Sequence, residues 1–182
     1  MGRVARPSST VRDLIETRTI RPTRALIAFD STHGNTERLA RAIGAALAPR
    51  ATVAVKRVED VHVADPTTFD LLIVRGLTQR RGASPALAAW LEGLGHRTLA
   101  GVPAAAFDTR YRMSLLSGSA AGVVAWHLGR AGCHLVAAAE SYFIKRDRPS
   151  AGEKRRHDSE QLEAGEGERA AAWAVGLLKS LG

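Results

Sequence analysis

Short apolar runs alternate with amphipathic stretches along the chain from Arg24 onward. Uninterrupted apolar runs predict buried strands, and apolar residues that recur every three or four positions predict helices with one buried face. The predicted strands are one that begins at Arg24, followed by 51–58, Asp70–Val74, Val102–Phe107 and His134–Ala139. The predicted helices carry apolar stripes within Leu39–Leu47, Leu87–Leu94, Ala120–Ala131 and Glu168–Leu181.

This alternation of strands and helices predicts an α/β fold, with a doubly wound parallel sheet and helices on both faces. Crossovers between parallel strands are right-handed, and five strands suit the spatial order 2-1-3-4-5. In a sheet of that order a ligand binds beyond the carboxyl ends of the first and third strands. The segments that follow strands one, three and four are therefore the expected lining of a binding crevice.

The segment between the first strand and the first helix is rich in hydroxyl groups. It consists of Ser31, Thr32, His33, Gly34, Asn35 and Thr36. Helix N-termini bind anions because their first N–H groups lack intrahelical partners and the helix dipole is positive there. The turn has neither a Walker-type lysine nor a G-x-G-x-x-G pattern, which favours a single terminal phosphate held by neutral donors. A capped turn without a ligand is the alternative interpretation.

The same turn resembles the phosphate loop of the flavodoxin family, in which S/T-x-T/H-G-N-T follows the first strand. Further motifs, in the same order along the chain, are similar to a bacterial branch of flavodoxin-domain proteins. They are Phe107–Arg110, Gly118–Ala121, Glu140–Phe143, and Ala164–Ala170 followed by Trp173. The resemblance covers about Arg24 to Leu178 and implies a flavodoxin-like doubly wound sandwich with FMN as its cofactor.

The resemblance also implies roles for individual residues. Donors to the FMN phosphate would be Thr32, Gly34, Asn35 and Thr36, in a turn that also contains Ser31 and His33. His33 either donates to the phosphate or faces solvent. The border of the flavin ring would be formed by Thr78, Gln79, Arg80, Arg81 and Gly82 after the third strand, and by Asp108, Thr109, Arg110 and Tyr111 after the fourth.

The segment after the third strand departs from the family pattern, which is G-x-P-T followed by an aromatic residue. Leu77 stands in place of the proline, and no aromatic residue follows. Arg80 or Arg81 lies flat on the flavin ring through its guanidinium group, or both arginines face water. Tyr111 is then the aromatic residue available for stacking.

The composition fits one globular domain in a reducing compartment. With 182 residues, 45% of them hydrophobic, the chain is long enough for a sizeable core. No apolar run reaches the roughly 18 residues of a membrane span, and no secretory signal is evident. The single cysteine, Cys133, excludes an internal disulfide and is expected to be a small buried residue. We therefore expect a cytoplasmic protein that does not associate with membranes.

Half of the net charge of +8 lies ahead of the first strand. Residues 1–24 contain six arginines and two acidic residues, a net charge of +4. Residues 1–23 are expected to be a basic leader, either flexible or docked on a single domain at 24–182, with a charged loop at about 146–161. Nucleic acid is an alternative partner for the leader, but it is not favoured because no aromatics interleave the arginines.

Arginines also crowd the expected crevice, at Arg75, Arg80, Arg81, Arg110 and Arg112. Positive charge favours an anionic flavin, so the fully reduced state is expected at a higher potential than in a flavodoxin with an acidic site. The same charges predict an acidic redox partner protein.

We therefore expect an FMN-binding, flavodoxin-like protein of electron transfer, with no assigned catalytic residue and no metal site. One alternative is a flavin-dependent reductase of a small substrate such as a quinone. Another is a flavin-free interaction module whose basic surface binds an acidic partner or nucleic acid. A fold alone does not decide among these functions.

Overall fold

The computed structural model describes residues 22–30, 35–62, 68–77, 84–112, 119–146 and 160–181. Within these ranges the strands are β1 (Thr23–Phe29), β2 (Ala51–Arg57), β3 (Leu71–Leu77), β4 (Pro103–Arg110), β5 (His134–Leu135), β6 (Glu140–Arg146) and β7 (Glu160–Leu162). The α-helices are α1 (Asn35–Leu47), α2 (Pro85–Gly93), α3 (Ala120–Arg130) and α4 (Glu166–Lys179), and a short 3-10 helix spans Val58–Asp60.

The strands form one sheet in the order β2-β1-β3-β4-β6-β7, with β5 also paired to β4. All pairings from β2 to β6 are parallel, and β7 alone pairs antiparallel, with β6. The first five positions follow the predicted order 2-1-3-4-5, so the predicted class of doubly wound α/β fold is confirmed. The prediction of exactly five parallel strands is corrected by the antiparallel β7 at the edge.

The fifth position of the sheet is shared by two strands, whereas the sequence predicted one continuous strand at His134–Ala139. Pro103 pairs with His134, but Phe107 pairs with Glu140. Four steps along β4 therefore correspond to six steps along its neighbour, and the extra residues interrupt the ladder as a bulge does. The interruption is hidden in the sequence, because Leu135 to Ala139 form an unbroken apolar run.

The predicted basic leader and the predicted charged loop lie largely outside the described residues. Residues 1–21 of the predicted leader and residues 147–159 of the predicted charged loop are not among them. The end of that loop is corrected, because Glu160–Leu162 forms β7 and pairs with Ile144–Arg146.

The two central strands run further than predicted. β3 extends to Leu77 and β4 to Arg110, and the pairing between them continues as far as Leu77 with Thr109. Arg75 and Asp108 were expected in loops but belong to this ladder. The strands were predicted from uninterrupted apolar runs, and those runs end just before the polar side chains of Arg75 and Asp108.

The core lies in two layers because successive residues of a strand point to opposite faces of the sheet. On one face, here called the α1 face, α1 and α4 cover a cluster that includes Ile27 and Ile73. On the other, the α2 face, α2 and α3 cover a cluster that includes Ala28 and Val74. Full burial of an Ile or Val side chain contributes about 1.5–3 kcal/mol, so these layers fix the helices on the sheet.

Outside these clusters, Cys133 is only partly buried at the edge of the α2 face. Burial raises the pKa of its thiol to about 11, so the group is protonated at neutral pH and a poor nucleophile. Among the described residues, no helix combines the length and apolar character needed to cross a bilayer.

Gly76 lets α3 approach the sheet closely. A Cβ atom at Gly76 would lie 2.8 Å from both the carbonyl carbon and the carbonyl oxygen of Ala120, the first residue of α3. Backbone atoms at a helix start cannot rotate away as a side chain does. The absence of a side chain at Gly76 therefore determines where α3 begins relative to the end of β3.

We predict that Gly76→Ala lowers the free energy of unfolding by about 1–3 kcal/mol, because the added methyl group displaces α3. The matched control is Gly176→Ala in α4, where an added Cβ has no neighbour within 4 Å. There alanine raises stability by about 0.5–1 kcal/mol through its higher helix propensity. Urea unfolding measures both changes, and equal effects of the two substitutions would contradict the close approach.

Candidate functional site

The carboxyl ends of β1, β3 and β4 lie side by side at one edge of the sheet. β1 stands between β2 and β3, so the direction of winding reverses beside it. Open α/β sheets bind ligands at such a switch point. This edge, here called the switch-point edge, is the candidate site.

The structure places only part of the predicted site. It describes Asp108, Thr109, Arg110 and Tyr111, together with the backbone of Asn35 and Thr36. Asn35 and Thr36 form the first turn of α1 and are not part of the preceding turn. The predicted turn residues Ser31, Thr32, His33 and Gly34 and the predicted ring-border residues Thr78, Gln79, Arg80, Arg81 and Gly82 lie outside the described residues.

Buried polar side chains concentrate at the switch-point edge. Among the described residues, the buried polar or charged ones are Asp30, Arg75, Ser84, Asp108, Thr109 and Glu166. All but Glu166, the first residue of α4, lie near the carboxyl ends of β1, β3 and β4 or at the start of α2. Polar groups are costly to bury, so they must satisfy one another by hydrogen bonds or serve a ligand.

Arg75 is the cation of the group, and only 2% of the residue is exposed. Its Nη1 donates to the Asp30 carbonyl at 2.8 Å, and its Nη2 donates to Thr109 Oγ1 at 2.5 Å. Arg75 shares the α1 face with Ile73, two residues earlier in β3. The guanidinium group thus joins β1 and β4 across β3 and holds a positive charge at the end of β1, which leads into α1.

Asp30 connects the end of β1 to α2. Ser84 Oγ donates to the Asp30 carboxylate and accepts the Leu87 N–H at 3.1 Å, so one hydroxyl both caps α2 and binds β1. Pro85 follows at the start of the helix, where its missing N–H costs nothing. The start of α2 is therefore fixed at the switch-point edge.

Asp108 performs the corresponding role for α3. Its side chain is fully buried, and Oδ2 accepts from Ser119 Oγ at 2.9 Å and from the Ala121 N–H at 3.0 Å. Ser119 is itself the N-cap of α3 and accepts the Gly122 N–H at 3.4 Å. A carboxylate at a helix N-terminus is favoured by the helix dipole. Asp108 therefore reinforces the N-cap that Ser119 provides.

Two arginines surround Phe143 beside these groups. The guanidinium carbon of Arg110 lies 5.8 Å from the centroid of the Phe143 ring, and that of Arg112 lies 4.3 Å from it. Arg112 Nε also donates to Glu163 at 2.7 Å. The crevice is therefore less positive than the sequence indicated, because an acidic residue after β7 pairs with Arg112. Tyr111 lies between the two arginines in sequence and is half-buried.

Glu166 fastens the start of α4 to the carboxyl end of β6. Its Oε2 accepts the Phe143 N–H at 2.8 Å and Arg169 Nη2 at 2.6 Å. Burial by itself raises the pKa of this carboxyl group, but the hydrogen bonds from Arg169 and Phe143 and the charge of Arg112 outweigh burial. The pKa of Glu166 is therefore lowered, and the side chain is ionised at neutral pH.

Sequence reasoning missed three residues of this edge. Ser84 carried a usable signal, because a serine before a proline and an apolar run is typical of a helix start. Phe143 belongs to the motif Glu140–Phe143, but that motif gave it no role in the site. Asp30 carried no signal, since its partner Ser84 comes from a distant part of the chain. Among the described residues, no group of three or more His, Cys, Asp or Glu side chains is arranged to hold a metal ion.

The chemistry of the edge suits an anionic, phosphate-bearing ligand with an aromatic ring system. A buried guanidinium and the first turn of α1 lie at the end of β1, where they favour negative charge. Tyr111 directly follows β4, and Phe143 lies within β6, where it pairs with Arg110, the last residue of β4. FMN, which the resemblance implied, combines a phosphate with an aromatic ring system and fits these residues.

No protein-family model and no curated protein matches the chain, whereas solved structures of flavodoxins match its fold. Flavodoxin 1 from Bacillus cereus has a TM-score of 0.69 at 15% identity, over 86% of this chain and 98% of that one. The flavodoxin of Streptococcus pneumoniae TIGR4 has a TM-score of 0.68 at 19% identity, over 86% of this chain and 99% of that one.

The fold also matches part of a larger protein. Rubredoxin oxygen:oxidoreductase from Desulfovibrio gigas has a TM-score of 0.61 at 20% identity, over 88% of this chain but only 37% of that one. These likenesses confirm the predicted flavodoxin-like fold.

We predict that Asp108→Ala lowers the free energy of unfolding by about 1–3 kcal/mol, because Ser119 and the start of α3 lose a buried acceptor. Asp60→Ala is the matched control, since Asp60 is exposed in the 3-10 helix and its loss changes stability by at most about 0.5 kcal/mol. Urea unfolding compares the two variants. A loss for Asp108→Ala no larger than that of the control would show that the carboxylate does not cap α3.

The contribution of Glu166 to stability depends on pH. The pKa of Glu166 is lowered from 4.5, so its contribution to stability is complete above that value and is lost as pH falls through the lower pKa of the folded state. The difference in unfolding free energy between the parent protein and Glu166→Gln should be constant from about pH 7 to about pH 5.5 and shrink in more acidic solution. Glu168→Gln, at an exposed position of the same helix, should give a small difference throughout. A Glu166→Gln difference that grows below pH 4.5 would contradict the lowered pKa.

Proposed function

We propose that this protein binds FMN at the switch-point edge and carries electrons with it. The proposal rests above all on the concentration of buried polar side chains at that edge, with the charge of Arg75 at the end of β1. The carboxyl ends of three strands meet there, at the position where open α/β sheets bind ligands, and the start of α1 favours an anionic group. The flavodoxin-like fold supports the same conclusion, since flavodoxins share it.

In this proposal the phosphate of FMN lies at the start of α1. Its donors are Thr32 and Gly34, which precede α1 together with Ser31 and His33, and Asn35 and Thr36 in the first turn of α1. The first N–H groups of α1 and the positive end of its dipole favour the phosphate charge. Arg75 adds a cation to this end of β1 without occupying the turn itself.

The ring of FMN lies against the backbone and side chains that follow β3 and β4. Asp108, Thr109, Arg110 and Tyr111 form one border, and Thr78, Gln79, Arg80, Arg81 and Gly82 form the other. Bound FMN supplies the uptake and release of electrons. The residues of the chain bind it, orient it and exclude water, and none of them is assigned as catalytic.

The proposed redox partner is an acidic protein. Arg110 belongs to the proposed ring border, and the chain as a whole carries a net charge of +8. Complementary charge mainly accelerates association and fixes orientation, which suits a transient electron-transfer complex. We also place the protein in the cytoplasm, on the basis of its single cysteine.

The direct test is the absorbance spectrum of the purified full chain before and after addition of FMN and desalting. We expect flavin bands that remain after desalting. A protein that shows no flavin bands after desalting, at all FMN concentrations used, would refute the proposal. Turnover of NAD(P)H with a quinone by the FMN-loaded protein would show a reductase and not a simple electron carrier.

A paired substitution locates the phosphate. Thr36→Val should weaken FMN binding about tenfold or more, because a hydrogen bond to a charged group is worth about 1.5–3 kcal/mol. Thr52→Val, at an exposed position of β2, should leave binding unchanged. Flavin fluorescence quenching measures both dissociation constants, and an unchanged value for Thr36→Val would remove Thr36 from the phosphate site.

A further inference from the structure

We infer that the outer face of α3 is an interface with a second copy of this chain, in which Trp126 of each protomer packs over the partner's Gly129. This surface, here called the Trp126 face, consists of Val123, Trp126, Gly129 and Arg130, all of which are exposed. The inference goes beyond the proposed function and requires no bound FMN.

Within the described part of the chain, the large apolar side chains that are exposed all lie on α3 or on β5, the strand that follows it. They are Val123, Trp126 and Leu135, with exposed fractions of 50%, 57% and 39%. Leu135 pairs in register with Ala104, so its side chain lies on the face of the sheet that α3 covers. Exposed apolar surface that is grouped in one region marks an interaction site, whereas single scattered residues do not.

The Trp126 face is opposite the face of α3 that packs on the sheet. Val124 and Leu128 are buried in the core, and Trp126 lies about 200° around the helix from Val124. A surface helix normally carries several charged residues on its outer side, but the one Lys, Arg, Asp or Glu residue of α3 is Arg130. The sequence of α3 is therefore that of a helix covered on both sides.

The ring of Trp126 is held in place although it is exposed. The guanidinium carbon of Arg130 lies 5.0 Å from the ring centroid, and the ring of His127 stands nearly perpendicular to the indole, with the centroids 4.8 Å apart. A large side chain that is oriented before binding loses little conformational entropy when a partner covers it. Tryptophan is also enriched among the residues that dominate interface energies, so Trp126 is suited to be the anchor of a contact.

Gly129 provides a hollow beside this anchor. A Cβ atom added at Gly129 would have no neighbour within 4 Å, so nothing in the described protomer requires glycine there, although glycine weakens a helix relative to alanine. Trp126 and Gly129 are three positions apart and are neighbours on the helix surface. Two antiparallel α3 helices, related by a two-fold axis between these residues, would seat each indole over the partner's Gly129 as a knob fits into a hole.

The chemistry of the face favours a second copy over a foreign redox partner. Transient redox complexes depend on complementary charge, but the single charged group of this face, that of Arg130, lies against the indole. Homodimer interfaces are more apolar, and an isologous interface needs a patch that complements itself, as a side chain next to its own hollow does. Because α3 is only about 16 Å long, the contact is smaller than that of a permanent dimer, and we expect reversible association in the micromolar range.

Sedimentation velocity of the full chain without FMN tests the inference, at protein concentrations from about 1 to about 500 µM. We expect the weight-average mass to rise from the chain mass of 19.4 kDa toward twice that value. The rise should persist in roughly 0.5 M salt because apolar contacts are not screened, whereas association through the basic residues 1–24 would fade there.

Two substitutions test the proposed contact. Trp126→Ala removes the anchor and should weaken dimerisation by about tenfold or more. Gly129→Leu fills the hollow and should weaken dimerisation as well, although it adds apolar surface that would strengthen a non-specific contact. Gly176→Leu is the matched control, since Gly176 is an exposed glycine of α4 with no neighbour within 4 Å of an added Cβ, and it should leave dimerisation unchanged.

Circular dichroism first establishes that each variant is folded. A parent chain that stays monomeric at every concentration would overturn the second copy as the occupant of this face and leave a foreign protein as the alternative. Dimerisation that is unaffected by Trp126→Ala would overturn the Trp126 face as the interface. Dimerisation that is weakened by Trp126→Ala but not by Gly129→Leu would overturn the packing of Trp126 over Gly129. FMN binding is measured separately, so each of these results leaves the proposed function unchanged.

Discussion

The hydrogen bonds that Arg75 makes to Asp30 and Thr109 are the contacts on which the switch-point edge depends. They join the ends of three adjacent strands through a side chain that has almost no exposed surface. From these strand ends the network continues to the helices, because Asp30 binds the cap of α2 and Asp108 binds the cap of α3. Loss of the guanidinium group would leave the buried Asp30 carbonyl and Thr109 hydroxyl without this donor. An unsatisfied buried polar group destabilises a fold more than the loss of an exposed hydrogen bond does.

The end of β4 serves both faces of the sheet because neighbouring residues of a strand point in opposite directions. Asp108 turns to the α2 face and fixes α3, whereas Thr109 turns to the α1 face and accepts from Arg75. The negative groups of the edge are thus engaged with helix starts on one face, and the buried cation lies on the other, beside α1.

The order of the sheet could be predicted because it follows from apolar runs alternating with amphipathic helices, a local property of the sequence. The ends of β3 and β4 could not, since Arg75 and Asp108 look like loop residues until their partners from distant segments are known. The split between β5 and β6 was also hidden, because it arises from register against β4 and not from composition. Asp108 and Thr109 were predicted as site residues, but the contacts that the structure shows for them are to other protein groups. Asp30 was missed because its partners Arg75 and Ser84 are distant in sequence.

The central claim is that the ligand binds at the carboxyl edge of the sheet and nowhere else on it. Mapping backbone amide chemical shifts by NMR during titration of the full chain with FMN tests this most directly. If FMN binds at this edge, the largest changes fall at Asp30, Asn35 and Arg75 and from Asp108 to Tyr111, with little change at the opposite edge near Thr23, Val102 and His134. Changes confined to that opposite edge, or none at saturating FMN, would contradict it.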